Sequence, residues 1–409
     1  MRIIVINDHG SITGGAAQVA IASLNALADI GFDVTFVSGV IPVDDCIDQN
    51  KVRIINFGIH ELITNPSKWD AAINGIWDAR CAKKIELLLD EYDPRETVVH
   101  LHTWTKSLTS SVVHKIRRRG FKLVCTLHDY FSICPNGGLF NYPKQQHCGV
   151  VPMSVMCLMT NCDARNYAQK LWRYSRHVVQ QQVAGMPSRI QHFISISDYS
   201  EALLRPYLPS EAKIYRVRNP VGIGCLPPAS PASSDSFCFV GRLTPEKGGR
   251  LFASAACKAG VVAVFAGSGA EEQAIIKAYP LAQLRGWQDR QGVIAAIRSS
   301  RALVFPSLWH ETQGLAVTEA AALGVPAIVS DNCAAKNYVI HGETGLLFRS
   351  GDVEDLARCL KLLSNDPHQA NVMGRNAYER YWASPCTLDS HLKELVGCYT
   401  EILSEGNIN

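Results

Sequence analysis

The feature that most restricts the fold of this chain is a repeated alternation of short apolar runs with helix-like segments. The apolar runs span residues 3–6, 34–37, 52–57, 98–101, 123–127 and 193–196 in the first half, and 237–240, 261–266, 302–305 and 327–329 in the second. Helix-like segments such as 15–30 and 78–92 separate them. Strands that alternate with helices form βαβ units around a mostly parallel sheet. The pattern therefore predicts an α/β fold.

The length of the chain indicates more than one domain. A chain of 409 residues exceeds what one ordinary core accommodates, so we expect two domains of about 200 residues each. The segment CLPPASPASS, which begins at Cys225, is the most linker-like part of the chain and follows Asn219 and Pro220. We therefore predict an N-terminal domain over 1–220, a C-terminal domain over 221–385 and a terminal helical segment over 386–409. The two Rossmann-like domains would face each other across a cleft.

Charge and hydropathy restrict the surroundings of the chain. No apolar run approaches the roughly 18 residues that a membrane-spanning helix needs, and the N-terminus leads directly into a strand, so we expect a cytoplasmic protein. Between Lys106 and Arg176 there are 11 basic residues against only Asp129 and Asp163. This excess indicates contact with a membrane surface or a lipid-linked acceptor, and a solvated face is the alternative. We expect no nucleic-acid partner.

Residues 305–331 contain the most informative local pattern. An apolar strand ends at Pro306, a polar loop carries Glu311, and Gly314 opens a helix that contains Glu319. The N–H groups of Gly314 and Leu315 would begin that helix and suit a phosphate. Carboxylates so placed can bind a ligand at the C-terminal ends of the strands, although a Glu early in a helix is also favoured by the helix dipole. A Glu on so apolar a helix needs partners, and sugar or ribose hydroxyls would serve.

A second pattern follows the first strand of the C-terminal domain. Arg242 stands at the strand end, and Lys247 lies five residues later in a glycine-bearing turn. The two cations can bind one diphosphate from two sides, although a pair of solvated surface cations has the same spacing. Further along, Gly286 and Trp287 offer backbone and a flat surface for a nucleobase.

Candidate residues in the N-terminal domain also lie at strand ends. Gly14 and Gly15 open the first helix and would let a ligand approach the backbone, although a loop that needs positive φ would use glycine too. His128 follows another strand and is a candidate hydrogen-bonding group for a sugar, with a structural histidine as the alternative. His102, near the end of another strand, could likewise be a sugar-binding or a structural histidine, with less support for the binding role.

Four cysteines are concentrated after His128. Most of the 14 cysteines are expected to be reduced thiols, but Cys134, Cys148, Cys157 and Cys162 fall in a Gly- and Pro-containing insertion over about 130–165. They could hold a structural zinc ion, with His147 able to replace one ligand. The spacing is not a paired C-x-x-C arrangement, so free thiols in packed positions are the alternative.

Taken together, the motifs G-R-x-x-x-x-K, A-G-S-G and P-S-x-x-x-E, with a second Glu eight positions later, resemble the family-4 retaining glycosyltransferases of the GT-B fold. The resemblance implies that the C-terminal domain binds a nucleotide-diphosphate sugar, of the UDP or GDP type, and that a terminal helix crosses back to the first domain. Gln313 stands where an aromatic residue is usual. The implied roles are diphosphate binding for Arg242 and Lys247, ribose binding for Glu319, contact with the transferred sugar for Glu311, backbone donors at Gly314 and Leu315, and further donor contacts at Gly14, Gly15, His128, Asn219 and Gly286.

The family reading also implies a reaction. A sugar would pass to a glycan or lipid-linked acceptor with retention of configuration and without a catalytic metal, in the synthesis of a cell-surface polysaccharide. Two other functions fit the same motifs, namely a sugar-nucleotide epimerase or hydrolase of the same fold and a non-catalytic protein that binds sugar nucleotides. The presence of Arg242, Lys247, Glu311 and Glu319 together argues against the non-catalytic reading.

Overall fold

The computed structural model describes residues 1–405, so residues 406–409 of the predicted terminal segment lie outside the described part. The chain divides into two compact units. The first unit comprises residues 1–138, 150–220 and 386–405, and the second comprises 139–149 and 221–385. The cysteine-bearing insertion, predicted to lie wholly in the first domain, is divided, because residues 139–149 belong to the second unit.

The strands are β1 (Arg2–His9), β2 (Asp33–Val40), β3 (Val52–Asn56), β4 (Thr97–Leu101), β5 (Lys122–Thr126), β6 (Phe140–Asn141), β7 (Gln146–His147), β8 (His192–Ser195), β9 (Lys213–Arg216), β10 (Ser236–Val240), β11 (Val262–Ala266), β12 (Gln283–Leu284), β13 (Ala302–Phe305), β14 (Ala327–Ser330) and β15 (Gly345–Phe348). Each predicted strand coincides with one of these to within one residue at either end, except that β1 and β2 extend three residues further at their C-terminal ends.

The helices are α1 (Gly15–Asp29), α2 (Lys68–Asn74), α3 (Ala79–Leu89), α4 (Ser111–Arg118), α5 (Val155–Met159), α6 (Tyr167–Val179), α7 (Asp198–Leu204), α8 (Gly249–Ala259), α9 (Glu272–Ala278), α10 (Arg290–Arg298), α11 (Leu315–Ala322), α12 (Val353–Asn365), α13 (Pro367–Ala383) and α14 (Leu388–Ser404). A π-helical turn, Gln180–Ala184, extends α6. No helix among residues 1–405 has the length and apolar character needed to cross a membrane.

The first unit is built on a seven-stranded sheet in the order β3-β2-β1-β4-β5-β8-β9. Every strand pair in it is parallel. The middle strands are buried on both faces, as expected when helices cover both sides of a parallel sheet. The strand order reverses direction at β1 and β4, and the loops after these strands carry Gly14 and His102.

The last helix, α14, belongs to the core of the first unit. Leu395 and Tyr399 are fully buried among apolar side chains of β1 and α1. The hydroxyl of Tyr399 lies 2.6 Å from Nδ1 of His100 on β4, which satisfies its polar end inside the core. The 386–405 segment is thus an integral part of this unit rather than a free tail.

The second unit contains a six-stranded sheet in the order β12-β11-β10-β13-β14-β15, again parallel throughout. Its core is formed by apolar side chains of β10, β11, α8 and α12. Strands β6 and β7 form a separate antiparallel hairpin, in which Phe140 pairs with His147. The α/β class with mostly parallel sheets is therefore confirmed for both units.

Candidate functional site

The candidate residues of the second unit gather at one edge of its sheet. Strands β10 and β13 are parallel neighbours, so their C-terminal ends share an edge. Arg242 and Lys247 follow β10, and Glu311 follows β13. Asn332 follows β14, the next strand along. The edge predicted to bind a ligand therefore carries both basic and acidic side chains.

Lys247 and Glu311 form an ion pair through Nζ and Oε1. The carboxylate is buried, and Ser307 Oγ also donates to Oε1 at 3.3 Å. The ammonium lies 5.2 Å from the centroid of the Trp309 ring, within cation–π range. The two side chains that the resemblance assigns to the diphosphate and to the transferred sugar are therefore direct neighbours.

A tight turn places Lys247. Residues Pro245–Lys247 form a 3₁₀ turn that ends at Gly248, where φ is +73°. A Cβ atom at Gly248 would lie 2.0 Å from the carbonyl oxygen of Pro306, so only glycine fits between the two loops. The backbone oxygen of Glu246 accepts a hydrogen bond from Leu308 N at 2.8 Å, which joins the same two loops. The turn thus sets Lys247 beside Glu311.

The N-terminus of α11 is formed by backbone alone. Gly314 is its N-cap with φ +93° and ψ +57°, and no side chain caps the helix. A Cβ atom at Gly314 would lie 2.6 Å from Cβ of Ala335. Glycine is therefore required both by the left-handed conformation and by the close approach of the 334–338 turn. The N–H of Leu315 lies at this uncapped end, as predicted.

Glu319 has a protein partner that the sequence analysis did not identify. Nη1 of Arg290, on α10, lies 3.1 Å from Glu319 Oε1. Burial raises the pKa of the Glu319 carboxyl, and the Arg290 guanidinium opposes that shift. Arg290 Nε also donates to Gly222 O at 3.3 Å, and its Nη2 is buried with no hydrogen-bond partner in the described chain.

Arg242 and Trp287 are exposed. Within residues 1–405 the Arg242 guanidinium has neither an ion-pair nor a hydrogen-bond partner, so it can bind a ligand without breaking a contact. Trp287 is 77% exposed, and Gly286 beside it has φ +68°. The carbonyl of Gly286 accepts from Gly267 N at 2.8 Å, which ties the 286–287 backbone to the loop after β11.

His147 is a second residue of this region whose position the sequence did not reveal. It ends the short 139–149 hairpin, and its ring lies 3.6 Å, centroid to centroid, from the ring of His310. Asn332 Nδ2 donates to His147 Nδ1 at 2.7 Å. Burial lowers the pKa of His310 to about 3, and His147 adds to that effect, so the two rings stack in their neutral forms.

In the first unit, the candidate residues have separate local partners. His128 Nε2 lies 2.9 Å from Nδ1 of the buried His102, and burial lowers the pKa of His128 to about 3. Asn219 is buried and lines a small cavity together with His102.

Gly14 and Gly15 are exposed at the start of α1, and neither adopts a left-handed φ, which rules out the alternative based on positive φ. Their roles toward a ligand stay predictions.

The four cysteines of the insertion do not share one unit. Cys148 belongs to the second unit, whereas Cys134, Cys157 and Cys162 belong to the first. Asn136 contacts the sulfurs of Cys134 and Cys162 at 3.1 and 3.3 Å, and the buried Lys170 Nζ lies 3.2 Å from Cys157 Sγ. Among residues 1–405 no group of three or more His, Cys, Asp or Glu side chains is arranged to hold a metal ion. The zinc prediction therefore depends on the cysteine spacing alone.

Comparisons with family models match nearly the whole length of the chain. Residues 13–223 match the model described as Glycosyltransferase Family 4, and residues 228–380 match the model described as Glycosyl transferases group 1. The first of these matches alone covers more than half of the chain.

Two curated relatives illustrate the sequence similarity. The D-rhamnosyltransferase WbpZ of Pseudomonas aeruginosa is 34% identical over 152 residues, which are 36% of this chain and 40% of that protein. The phosphatidyl-myo-inositol mannosyltransferase of Mycobacterium leprae is 30% identical over 205 residues, or 46% of this chain and 54% of that protein. The matches thus span about half the length of these relatives.

Solved structures show the similarity of fold. The sucrose-phosphate synthase of Thermosynechococcus elongatus has a TM-score of 0.74 at 19% identity and covers 99% of this chain and 100% of its own. Anabaena HepE, solved in complex with UDP-glucose, has a TM-score of 0.69 at 17% identity and covers 98% of this chain and 100% of its own. Together with the two parallel sheets, these matches confirm the predicted GT-B fold class.

Proposed function

This chain belongs to glycosyltransferase family 4, and from that premise we propose that it transfers a sugar from a nucleotide-diphosphate sugar to a glycan or lipid-linked acceptor. The observation that carries the proposal is the ion pair between Lys247 and Glu311 at the C-terminal edge of the second sheet. It places a cation suited to phosphate next to a carboxylate suited to sugar hydroxyls. HepE, of similar fold, is solved with UDP-glucose, which supports a donor of this chemical class.

The proposal gives each side chain of this edge a distinct role. Arg242, which has no partner within residues 1–405, and Lys247 bind the diphosphate together with the backbone of Gly314 and Leu315. Glu319 binds the ribose hydroxyls, and Arg290 keeps its carboxylate oriented. The exposed Trp287 and the backbone of Gly286 contact the base.

The proposed reaction retains the anomeric configuration. The bond between the anomeric carbon and the diphosphate oxygen breaks, and the acceptor oxygen bonds to the same face of that carbon. The acceptor proton passes to the leaving phosphate, so no separate protein base is required. Arg242 and Lys247 stabilise the charge that develops on the diphosphate, and this electrostatic contribution is usually the largest one in catalysis. With two cations in this role, the proposed reaction needs no catalytic metal.

Phosphate binding and the Lys247–Glu311 pair are coupled. A diphosphate that accepts a hydrogen bond from Lys247 Nζ competes with Glu311 for the same ammonium group. The weakened pair leaves Glu311 Oε1 available to a sugar hydroxyl, with Ser307 Oγ still donating to it. Donor binding would thus prepare the carboxylate for the sugar.

We also propose that the first unit contacts an anionic membrane surface at the inner face of a cytoplasmic membrane. Helix α5 buries Cys157 but leaves Val155, Met156 and Met159 exposed by 71, 62 and 68%. Tyr167 on α6 donates to Leu158 O at 2.9 Å and fixes this orientation. An uncharged apolar surface of this kind suits the boundary between lipid headgroups and acyl chains.

The charges near α5 favour anionic lipid. The 106–176 stretch carries 11 basic residues and two acidic ones, Asp129 and Asp163. Asp163 is 2% exposed and pairs with Arg173 at 3.0 Å, so it adds little negative charge to the surface. Among the basic residues, Lys170 is buried and Lys115 pairs with Glu86, whereas Lys106 and Arg118 are exposed, so the remaining surface charge is positive but smaller than the residue count implies.

Donor binding can be tested by thermal shift with UDP, GDP and ADP and with UDP-glucose, GDP-mannose and ADP-glucose. A ligand that binds only the folded state raises the melting temperature, and we expect one nucleotide class to do so. Release of the nucleoside diphosphate is then measured with and without a fraction of lipid-linked glycans. Transferase activity requires acceptor-dependent release, a hydrolase releases the diphosphate equally without acceptor, and a binding protein releases none. Product NMR would report whether the anomeric configuration is retained.

The site assignment has a matched control. We expect Lys247→Met and Glu311→Gln to slow acceptor-dependent release by about 10²- to 10³-fold, as loss of a transition-state contact does. Lys258 pairs with Glu354 through two exposed side chains of the same unit, so Lys258→Met removes a comparable ion pair away from the sheet edge. Equal rates in all three variants would overturn the assignment.

A further inference from the structure

The short hairpin of residues 139–149 approaches the backbone of Glu311 from outside the 221–385 segment. His147, the last residue of its second strand β7, contacts two stretches of the second unit. One stretch contains His310, the residue before Glu311, and the other contains Asn332. The sequence suggested only a metal-binding role for His147, and none of the proposed donor contacts uses it.

These two stretches are the ones that hold the Glu311 backbone. Ala334 N donates to the carbonyl of Glu311 at 3.1 Å, and Ala334 lies two residues after Asn332. Glu311 N donates to Trp309 O at 2.8 Å, which makes a tight bend at His310. His147 therefore ties together both segments that fix the position of Glu311.

The two contacts of His147 use different properties of its side chain, namely a hydrogen-bond acceptor and a flat ring. Asn332 Nδ2 is a donor, so Nδ1 of His147 accepts and the neutral ring carries its proton on Nε2. That Nε2 is buried, and the backbone of Leu308 and Trp309 also interacts with the His147 ring. The two rings lie 3.6 Å apart, centroid to centroid, with a tilt of 30°, and burial lowers the pKa of each and so favours its neutral form. The result is a rigid connection rather than an exposed surface contact.

We propose that the 139–149 hairpin is a donor-selectivity element in which His147 is a positioning residue for Glu311. It acts on recognition of the transferred sugar and not on binding of the nucleoside diphosphate. The inference rests on the proposed function, because it needs Glu311 to contact the sugar. It adds a part of the insertion to the machinery that selects the donor.

Three substitutions separate the two contacts of His147. His147→Phe keeps a ring over His310 but cannot accept from Asn332, whereas His147→Asn keeps an acceptor but loses the ring. His147→Ala loses both. Affinity is measured by calorimetry for UDP against UDP-glucose and for GDP against GDP-mannose, and melting temperatures report whether each variant folds.

We expect His147→Ala to weaken binding of the accepted sugar nucleotide by about tenfold or more, with less than a twofold change for the matching nucleoside diphosphate. His147→Phe and His147→Asn should each lose part of this discrimination, so the proposal stays testable if the Ala variant does not fold. Equal losses for nucleotide and sugar nucleotide, or no loss for either, would overturn it.

A parallel variant separates this inference from the proposed function. If Glu311→Gln weakens sugar-nucleotide binding while the His147 variants do not, only the role of the hairpin is wrong. If Glu311→Gln leaves sugar-nucleotide binding unchanged, the proposed role of Glu311 fails, and the inference fails with it.

Discussion

Arg290 Nη1 lies 3.1 Å from Oε1 of Glu319, and the two residues belong to different helices of the same unit. The carboxylate on the apolar helix α11 therefore has a protein partner and does not depend on a ligand for compensation. This contact makes Arg290 a residue of the candidate site in its own right.

The first prediction concerns that pair. Replacing Arg290 with Met leaves the Glu319 carboxylate buried and uncompensated. Because Arg290 is 35% exposed, we expect a loss of about 1–3 kcal/mol in unfolding free energy at pH 7.5, less than for a fully buried pair. In the variant the pKa of Glu319, already raised by burial, rises further because Arg290 is gone. At pH 5 the folded variant therefore takes up a proton on Glu319, and the loss of stability should be smaller.

Urea unfolding of the wild type and the variant at both pH values measures this difference. Arg298 lies on the same helix and donates to Pro227 O at 2.9 Å, so Arg298→Met is a matched control with no carboxylate partner. A loss for Arg290→Met that does not depend on pH would contradict the prediction.

The second prediction concerns the turn that places Lys247. Gly248 and Gly260 both have left-handed φ, but only at Gly248 would a Cβ atom collide with backbone, 2.0 Å from Pro306 O. We expect Gly260→Ala to cost about 1–2 kcal/mol from the backbone conformation alone. Gly248→Ala should cost more and should also weaken nucleotide binding, because the turn holding Lys247 has to move. Similar unfolding and binding data for the two variants would refute this account.

The third prediction is a loss of stability in acid. Burial lowers the pKa of His128, His177 and His310 to about 3, well below the ordinary value of 6.5. Below pH 6.5 the unfolded chain binds protons that the folded chain does not, so each histidine removes up to about 1.4 kcal/mol per pH unit. Burial also raises the pKa of Asp129 to about 6. Between about pH 6 and 4 the folded chain therefore binds a proton on Asp129 that the unfolded chain does not, which stabilises the fold as the pH falls.

Melting temperatures between pH 7.5 and pH 5 test the balance, in which these three histidines, together with other buried ones such as His100 and His102, outweigh Asp129 and Glu319. We expect a steady fall, and His177→Gln should make it shallower because a non-titrating side chain replaces one of the three. Stability that is constant or increases toward pH 5 would show that these groups do not govern the response.

The fourth prediction concerns the apolar side chains of α5. We expect the protein to sediment with vesicles that contain phosphatidylglycerol and not with pure phosphatidylcholine, and salt should weaken the binding. Replacing Val155, Met156 and Met159 together with Ser should reduce the bound fraction at least fivefold. Leu281, 75% exposed in the second unit, provides the control Leu281→Ser. Undiminished binding by the triple variant would place the membrane contact elsewhere.

The fifth prediction concerns the four cysteines of the insertion. If Cys134, Cys148, Cys157 and Cys162 bind zinc, elemental analysis of the purified protein should find about one zinc ion per chain. Cys157→Ser should then release the metal and lower the melting temperature. A folded preparation without metal would show that the cysteines are free thiols.

The parts of the structure that the sequence predicted are those encoded locally. The strand 302–305 and the helix after Gly314 were recognisable because an apolar run, a turn and a glycine stop follow one another in the chain. Edge strand β9, Lys213–Arg216, was missed because it has only four residues, with a charged residue at each end and no apolar run long enough to recognise. The Lys247–Glu311 contact was approached only through the resemblance, which gave each residue a role but not their pairing.

Contacts between residues far apart in the chain could not be predicted from local sequence patterns. Arg290 precedes Glu319 by 29 residues, and nothing in the spacing indicates that α10 and α11 bring them together. His147 lies in a segment whose cysteines dominate the sequence pattern, so its stacking on His310 could not be inferred. Pairings of this kind are fixed by how strands and helices pack, which periodicity does not specify.

The division of the chain into units has a consequence for genetic exchange. The chain passes between the two units after residues 138, 149, 220 and 385. A chimera joined to a relative at the single point 220 would keep its own 139–149 hairpin beside a foreign Glu311 loop. It would also place a foreign final helix in the core of the first unit, where α14 and its Tyr399 normally pack. If the hairpin acts on the donor as proposed, an exchange of donor specificity has to transplant the hairpin and the 221–385 segment together and retain the native helix α14.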